Sequence, residues 1–226
     1  MLELSSVGSG VLQSRAVEFA KKWGVVIHSR SAFSDKEGTY VKEESPVEQA
    51  VITGIAHDTS EMKVTIRHVP DTTGVAAKVF SALAGNMVNM DMIIQNTSLD
   101  GATDISFTCP ASDLPRAKEA LSGVMDEIGA AGIDVDEDIA KVSLVGTGMK
   151  STPGVSAKAF RTLGENNINI LAISTSPIRL SMVIEAHEAQ RAVQVLHTAF
   201  DLDADSVFEE TQLSAEEIAD KMKKGR

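Results

Sequence analysis

Two glycines, Gly74 and Gly154, carry the most suggestive chemistry in this sequence, because each stands just ahead of an apolar helical pattern. A helix N-terminus offers unpaired N–H groups and the positive end of the peptide dipole, so it holds a carboxylate when the backbone can come close. Glycine removes the side chain that would block that approach. Short polar groups stand beside both glycines: Asp71, Thr72 and Thr73 in one case, Ser151 and Thr152 in the other. Across the following turn lie Asn86 and Asn89, or Asn166, Asn167 and Asn169, and then Gln95, or Ser174 and Ser176. Their amides and hydroxyls suit an ammonium and a carboxylate on one small molecule, which is the chemistry of an amino-acid effector. Glycine and asparagine also serve plain turns and caps. What favours binding is that the whole constellation occurs twice.

Catalytic signals are poor by comparison. The five histidines show no metal-ligand spacing. Cys109, between a strand-like run and Pro110, has no base beside it and reads as structural rather than as a nucleophile. The glycine-rich "GSG" at Gly8 and "GTGMKS" at Gly146 fit neither a Walker A loop nor GxGxxG. The acidic run Asp134, Asp136, Glu137 and Asp138 reads as a solvated edge rather than a metal site.

The elements that must position these residues are themselves duplicated. At a constant offset of 80 residues (154 − 74), Gly74, Val75, Ala77, Lys78, Phe80, Leu83, Asn86, Asn89 and Ile93 all recur. Upstream, "KVTIRHV" from Lys63 pairs with "KVSLVGT" from Lys141 after a two-residue slip, and downstream Arg116, Ala117 and Leu121 pair with Arg191, Ala192 and Leu196. A period this long is a small domain copied once, not a solenoid repeat. In the first copy, periodicity predicts a strand over 63–69, a helix from 75 with Asp71 or Thr73 as its cap, strands over 88–96 and 102–108 around an Asp-Gly turn, one helix over 114–128 and a last strand at 133–135. In the second it predicts strands at 142–145, 168–174, 178–184 and 206–208, with helices at 155–163 and 189–200. The order is βαββαβ, the ferredoxin-like α+β sandwich, with two helices on one face of an antiparallel sheet. Ahead of the copies, "SRAVEFAKKWG" reads as a short amphipathic helix ending at Gly24, "VVIHSRSAF" as a strand and "AVITGIA" as a lone strand. After them, "SAEE" from Ser214 opens a capped helix that becomes the basic "KMKKGR".

Composition bounds the function. Of 226 residues, 43% are hydrophobic and 23% charged, an ordinary globular balance. The net charge of −11 and an aromatic content of 4% disfavour nucleic acid, which needs a basic surface or stacking platforms. No apolar run approaches a membrane span and the first ten residues do not read as a secretory signal. A single cysteine points to a reducing compartment, with the cytoplasm as the default.

The segments "VITGIAHD", "KVTIRHVPDTTGVAAKVFSALA", "NMDMIIQNTS", "TDISFTCP", "KVSLVGTGMKSTPGV" and "NINILAISTS" together resemble the regulatory region of aspartate kinase, which holds tandem ACT domains. The resemblance implies 1–47 as the C-terminal end of the kinase (amino acid kinase) domain, 48–61 as a strand lent to the second ACT domain, 62–138 and 139–210 as the first and second ACT domains, and 211–226 as a charged tail. The family's lysine-phenylalanine-glycine-glycine nucleotide motif is absent, so the chain is expected to be inactive alone, with ATP and magnesium needed only in a catalytic subunit. It resembles either the small β subunit some bacteria make from an internal start, which could fall at Met1, or a cut-down piece of the whole enzyme. The family implies threonine and/or lysine at interfaces between ACT domains, homodimers formed through them, or association with a catalytic subunit. Carried over by residue, one site would use Asp71, Gly74, Val75, Ala76 and Gln95 with Asn167, Asn169 and Ile170 of another copy. Its pseudo-equivalent would use Lys150, Ser151, Gly154, Val155, Ser156, Ser174 and Ser176. Thr73 replaces the family's proline before Gly74, and Pro177 stands where relatives commonly carry a glutamate that meets a lysine ammonium, which weights the expectation toward threonine. The function expected is feedback control of aspartate phosphorylation; the alternative is a ligand-independent oligomerisation scaffold.

Overall fold

The computed structural model describes residues 1–42, 51–96, 101–147, 149 and 152–203. The chain opens with α1 (Leu2–Ser6), α2 (Ser14–Trp23) and the hairpin of β1 (Ile27–Ser29) with β2 (Thr39–Val41). Helix α2 stops where Gly24 turns left-handed (φ 62°), as its sequence suggests.

Then come β3 (Gly54–Asp58), β4 (Glu61–Pro70), α3 (Val75–Gly85), β5 (Ile93–Gln95), β6 (Ala102–Pro110), α4 (Leu114–Ser122), α5 (Met125–Ile128) and β7 (Gly132–Asp136). The second copy supplies β8 (Ile139–Val145), α6 (Val155–Glu165), β9 (Ala172–Ser176), β10 (Arg179–Glu185) and α7 (Ala189–Ala199). Two antiparallel four-stranded sheets result, ordered β5-β6-β4-β7 and β9-β10-β8-β3. The first is the βαββαβ order in full. In the second, β3 lies beside β8 in the place that β7 takes beside β4. The segment 206–208, predicted as the last strand of the second copy, lies outside the described residues.

Strand alternation sets each core. Val64 and Ile66 of β4 meet Val79 and Leu83 of α3, Ile105 and Phe107 of β6, and Ala117 and Leu121 of α4. Ala140, Val142 and Leu144 of β8 repeat this against Ala159 and Leu163 of α6, Met182 and Ile184 of β10, and Ala192 and Leu196 of α7. Strand β8 is buried along its whole length. On the face away from α6 and α7, Ile139 packs with Met92 of the first unit and Val183, and Val145 packs with Val7 and Ala56 beneath α1.

Several sequence expectations shift. The predicted helix over 114–128 breaks at Gly123 and Val124 into α4 and α5. The strands predicted from 88 and 168 begin later, at Ile93 and Ala172. The residues ahead of them finish the preceding helices instead. Met87 (φ 53°) and Asn167 (φ 55°) turn left-handed. The N–H groups of Val88 and Ile168 then reach back to the Leu83 and Leu163 carbonyls at 3.1 and 2.9 Å, which forms a Schellman closure at each helix end. Apolar residues used this way look like strand residues to a period-two reading.

Candidate functional site

Gly74 and Gly154 both have φ 96° and both cap the helix that follows, α3 and α6. That backbone conformation costs an L-residue energy and suits glycine. A Cβ built at either position would meet nothing within 4 Å, so the space beside each helix end is open. No side chain caps the first turn of either helix. The predicted caps from Asp71 and Thr73 are therefore not made: the loop is held by backbone contacts, from Asp71 N–H to Gly101 O (2.9 Å) and from Val75 N–H to Thr72 O (3.3 Å). A helix end without a side-chain cap and beside open space can accept an anion.

The asparagines divide into distinct roles. Asn86 and Asn166 donate their amides to the Ala82 and Thr162 carbonyls (2.9 and 2.8 Å), so their recurrence serves helix termination. Asn89 gives its backbone N–H to the buried Asp113 carboxylate (3.0 Å), and Arg191 donates to the Asn166 carbonyl (2.8 Å). In each unit an acid grips the arginine three residues on, Asp113 with Arg116 and Glu188 with Arg191, which anchors the asparagine turn. The Asn89 N–H and then Arg116 hold the Asp113 carboxyl below the usual carboxylate range; Arg191 does the same for Glu188. The sequence reading missed both clasps, although the paired arginines with an acid three residues before each were a readable signal. Asn167 and Asn169 stay exposed.

Asp71, Gly74, Val75, Ala76 and Gln95 all belong to the first unit, with Gln95 exposed at the end of edge strand β5. Gly154, Val155, Ser156, Asn167, Asn169, Ile170, Ser174 and Ser176 belong to the second; Lys150 and Ser151 lie outside the described residues. Among the described residues, no hydrogen bond or ion pair joins Asp71 or Gln95 to Asn167, Asn169 or Ile170. Val75, Val155 and Ile170 pack into their cores, so these residues can offer a ligand mainly backbone. Beside Gly154 a cavity of about 410 Å³ is lined by Val51, Ile52, Thr152, Pro153, Lys158 and Phe200–Leu202. Lys158 stands 4.9 Å over the Phe200 ring, and its first-unit counterpart Lys78 pairs with Glu127 at 2.7 Å.

Cys109 is buried, and burial followed by the Asp113 and Glu61 carboxylates pushes its thiol up to about 11, the opposite of an activated nucleophile. Asp134 and Asp136 pair with Arg67 (2.9 Å) and Lys63 (3.5 Å). Among the described residues, no group of His, Cys, Asp and Glu could hold a metal ion, and no helix is long and apolar enough to cross a membrane.

A model of the ACT domain matches residues 55–124 and 142–200. A chain from a crystal structure of aspartokinase alpha and beta subunits is 48% identical, with a TM-score of 0.63, over 66% of this chain and 99% of that one. The chain belongs to the aspartokinase family, as its ACT-domain regulatory region. The ligand-free regulatory subunit of aspartate kinase from Thermus thermophilus is 40% identical over the same shares, with a TM-score of 0.64. The aspartokinase of Mycolicibacterium smegmatis is 50% identical over 91% of this chain. This regulatory chain spans about half the length of the curated relatives it matches, 50% in that case.

Proposed function

We propose that the chain binds an end-product amino acid, threonine and/or lysine, where ACT units meet, and that binding gives feedback control over the phosphorylation of aspartate by ATP in a catalytic part of aspartate kinase. The observation that carries this reading is the pair of glycine-led helix ends. The same left-handed glycine, uncapped first turn and open space occur in both units. The effector carboxylate would meet the helix N–H groups, and its ammonium would meet Gln95 and Asp71, or Ser174 and Ser176.

Interfaces between copies complete the proposal. Edge strands β5 and β9 carry the equivalent Ile93 and Ile173, which are 50% and 42% exposed, beside unpaired backbone groups. Pairing of two chains along these edges would bring Asn167, Asn169 and Ile170 of one toward Asp71, Gly74 and Gln95 of the other. Residues 1–42 leave Phe19, Trp23 and Phe33 exposed, as expected of the end of a kinase domain whose remainder would cover them. The effector must bind two arrangements of the paired units unequally, with a coupling of roughly 1–3 kcal/mol.

A scaffold that needs no ligand has its own support: the recurring glycines are required by φ 96°, and the recurring Asn86 and Asn166 by helix closure. Calorimetry with threonine and with lysine separates the two readings. Saturable heat with one of them, lost in Gln95→Ala while the fold is kept, is expected. Silent titrations at millimolar ligand with an unchanged melting temperature leave the scaffold.

A further inference from the structure

The two units meet along a seam that their duplication does not explain. Glu61, at the start of β4, and Asp91, between α3 and β5, come from the first unit. Lys141 in β8 and Arg179 at the start of β10 come from the second. Lys141, only 2% exposed, donates to Glu61 and to Asp91 Oδ2 (2.7 Å), and Arg179 donates to Asp91 Oδ1 (3.3 Å). Asp91 thus spends one oxygen on each cation, and the formal charges of the group cancel. Buried Met92, Ile139 and Val183 lie in the same seam.

Stability alone is a weak reason for charges in this place. Removing a lysine from water is costly, and replacing a buried ion pair with packed apolar side chains is often neutral or stabilising. What ions add is direction: apolar contact tolerates sliding, whereas charge-assisted hydrogen bonds from one ammonium to two carboxylates do not. Nor is the group inherited from the ancestral copy. Lys63, the counterpart of Lys141, is more exposed and pairs with Asp136 on its own sheet at 3.5 Å. The residue 80 positions after Asp91 is Leu171, which packs against the apolar part of the seam.

The clamp is joined along the chain to both candidate crevices. From Asp91 the chain runs through β5 to Gln95, and from Ser176 it turns directly into Arg179. We propose that Lys141 and Asp91 are positioning residues that hold the two ACT units at one mutual angle, and so set the spacing between Gln95 and the Ser174–Ser176 strand. The link to the crevices rests on the proposed effector reading. The clamp does not, and it is tested without ligand.

Spin labels at Ser81→Cys and Arg161→Cys, equivalent exposed positions on α3 and α6, report the distance between units in the intact chain. Cys109 is buried, and diluting labelled chain into unlabelled chain confines the reading to one molecule. One narrow distance is expected for the native seam. Lys141→Met and Asp91→Asn should shift or broaden it while the circular dichroism of the units is kept. The triple variant Glu61→Gln/Asp91→Asn/Lys141→Met strands no buried carboxylate or lysine, so it keeps the test open if Lys141→Met fails to fold; it too should lose the narrow distance. A broad native distribution, or a folded triple variant with the native one, overturns the clamp. Because no effector is present, silent titrations with threonine and lysine would remove the effector reading and leave this result as it stands.

Discussion

At the scale of single residues, Gly74 and Gly154 show how a functional and a structural demand fall on the same atom. The φ of 96° excludes most side chains on conformational grounds, and the open space beyond each Cα leaves room for a ligand. Gly154→Ala should therefore cost stability through backbone strain alone, by about 1–2 kcal/mol, because the added methyl meets no neighbour. Urea unfolding of that variant and of Gly74→Ala measures it. Cys109 offers a prediction of the opposite kind. Its folded pKa of about 11 lies above the unfolded 9.0, so the folded chain keeps a proton that the unfolded chain gives up. The stabilisation is complete below pH 9.0 and is lost as the pH rises through about 11. Urea midpoints across this window should fall more steeply for the native chain than for Cys109→Ala. Alkylation of the native thiol should be slow until the chain unfolds.

At the scale of elements, the turn after α3 and α6 closes each helix. Asn86 and Asn166 cap, and Met87 and Asn167 supply the left-handed residue. That Met87 does this work as well as Asn167 argues that asparagine chemistry is not what the position requires. The elements left with unmet bonding capacity are the sheet edges. Strand β3 borders α1, where Gly8 (φ 107°) lets the chain pass so near β3 that a Cβ would lie 2.3 Å from the His57 carbonyl. Among the described residues, strands β5 and β9 stand at sheet edges, share the apolar seam through Ile94 and Ala172, and present Ile93 and Ile173 to solvent. Lysine at an exposed edge blocks strand pairing. Under the proposed pairing of chains along these edges, Ile173→Lys should lower the sedimentation coefficient toward that of one chain while leaving the melting curve of each unit unchanged; an unaltered coefficient would count against pairing at this edge.

At the scale of the whole molecule, two duplicated units are joined in a way that is not symmetric. One sheet borrows β3 from upstream, so the first unit is an insertion within the second. That topology ties the ends of the first unit to strands β3 and β8 of its neighbour, and the seam between them carries a buried lysine that the other copy does not reproduce. Burial of Lys141 opposes its charge, but its hydrogen bonds to Asp91 and Glu61 outweigh this and raise its pKa, so it stays an ammonium. Asp91 is held below the usual carboxylate range by Lys141 and Arg179 in spite of its own burial. A seam with defined ion pairs would suit the proposed regulator, because occupancy at one crevice can be felt at the other only if the units move between defined arrangements.

The sequence by itself determined the copied unit, its βαββαβ order and the two glycines that open the helices, because each is local. Periodicity marks which face of a helix or strand is buried, and a left-handed backbone selects glycine residue by residue. The tertiary structure alone decided that Asn86 and Asn166 close helices and that Lys141 meets Glu61 and Asp91. The partners in that last contact lie 80 and 50 positions away. Charge pairing across such separations depends on how two folded surfaces meet, and no spacing along the chain encodes it.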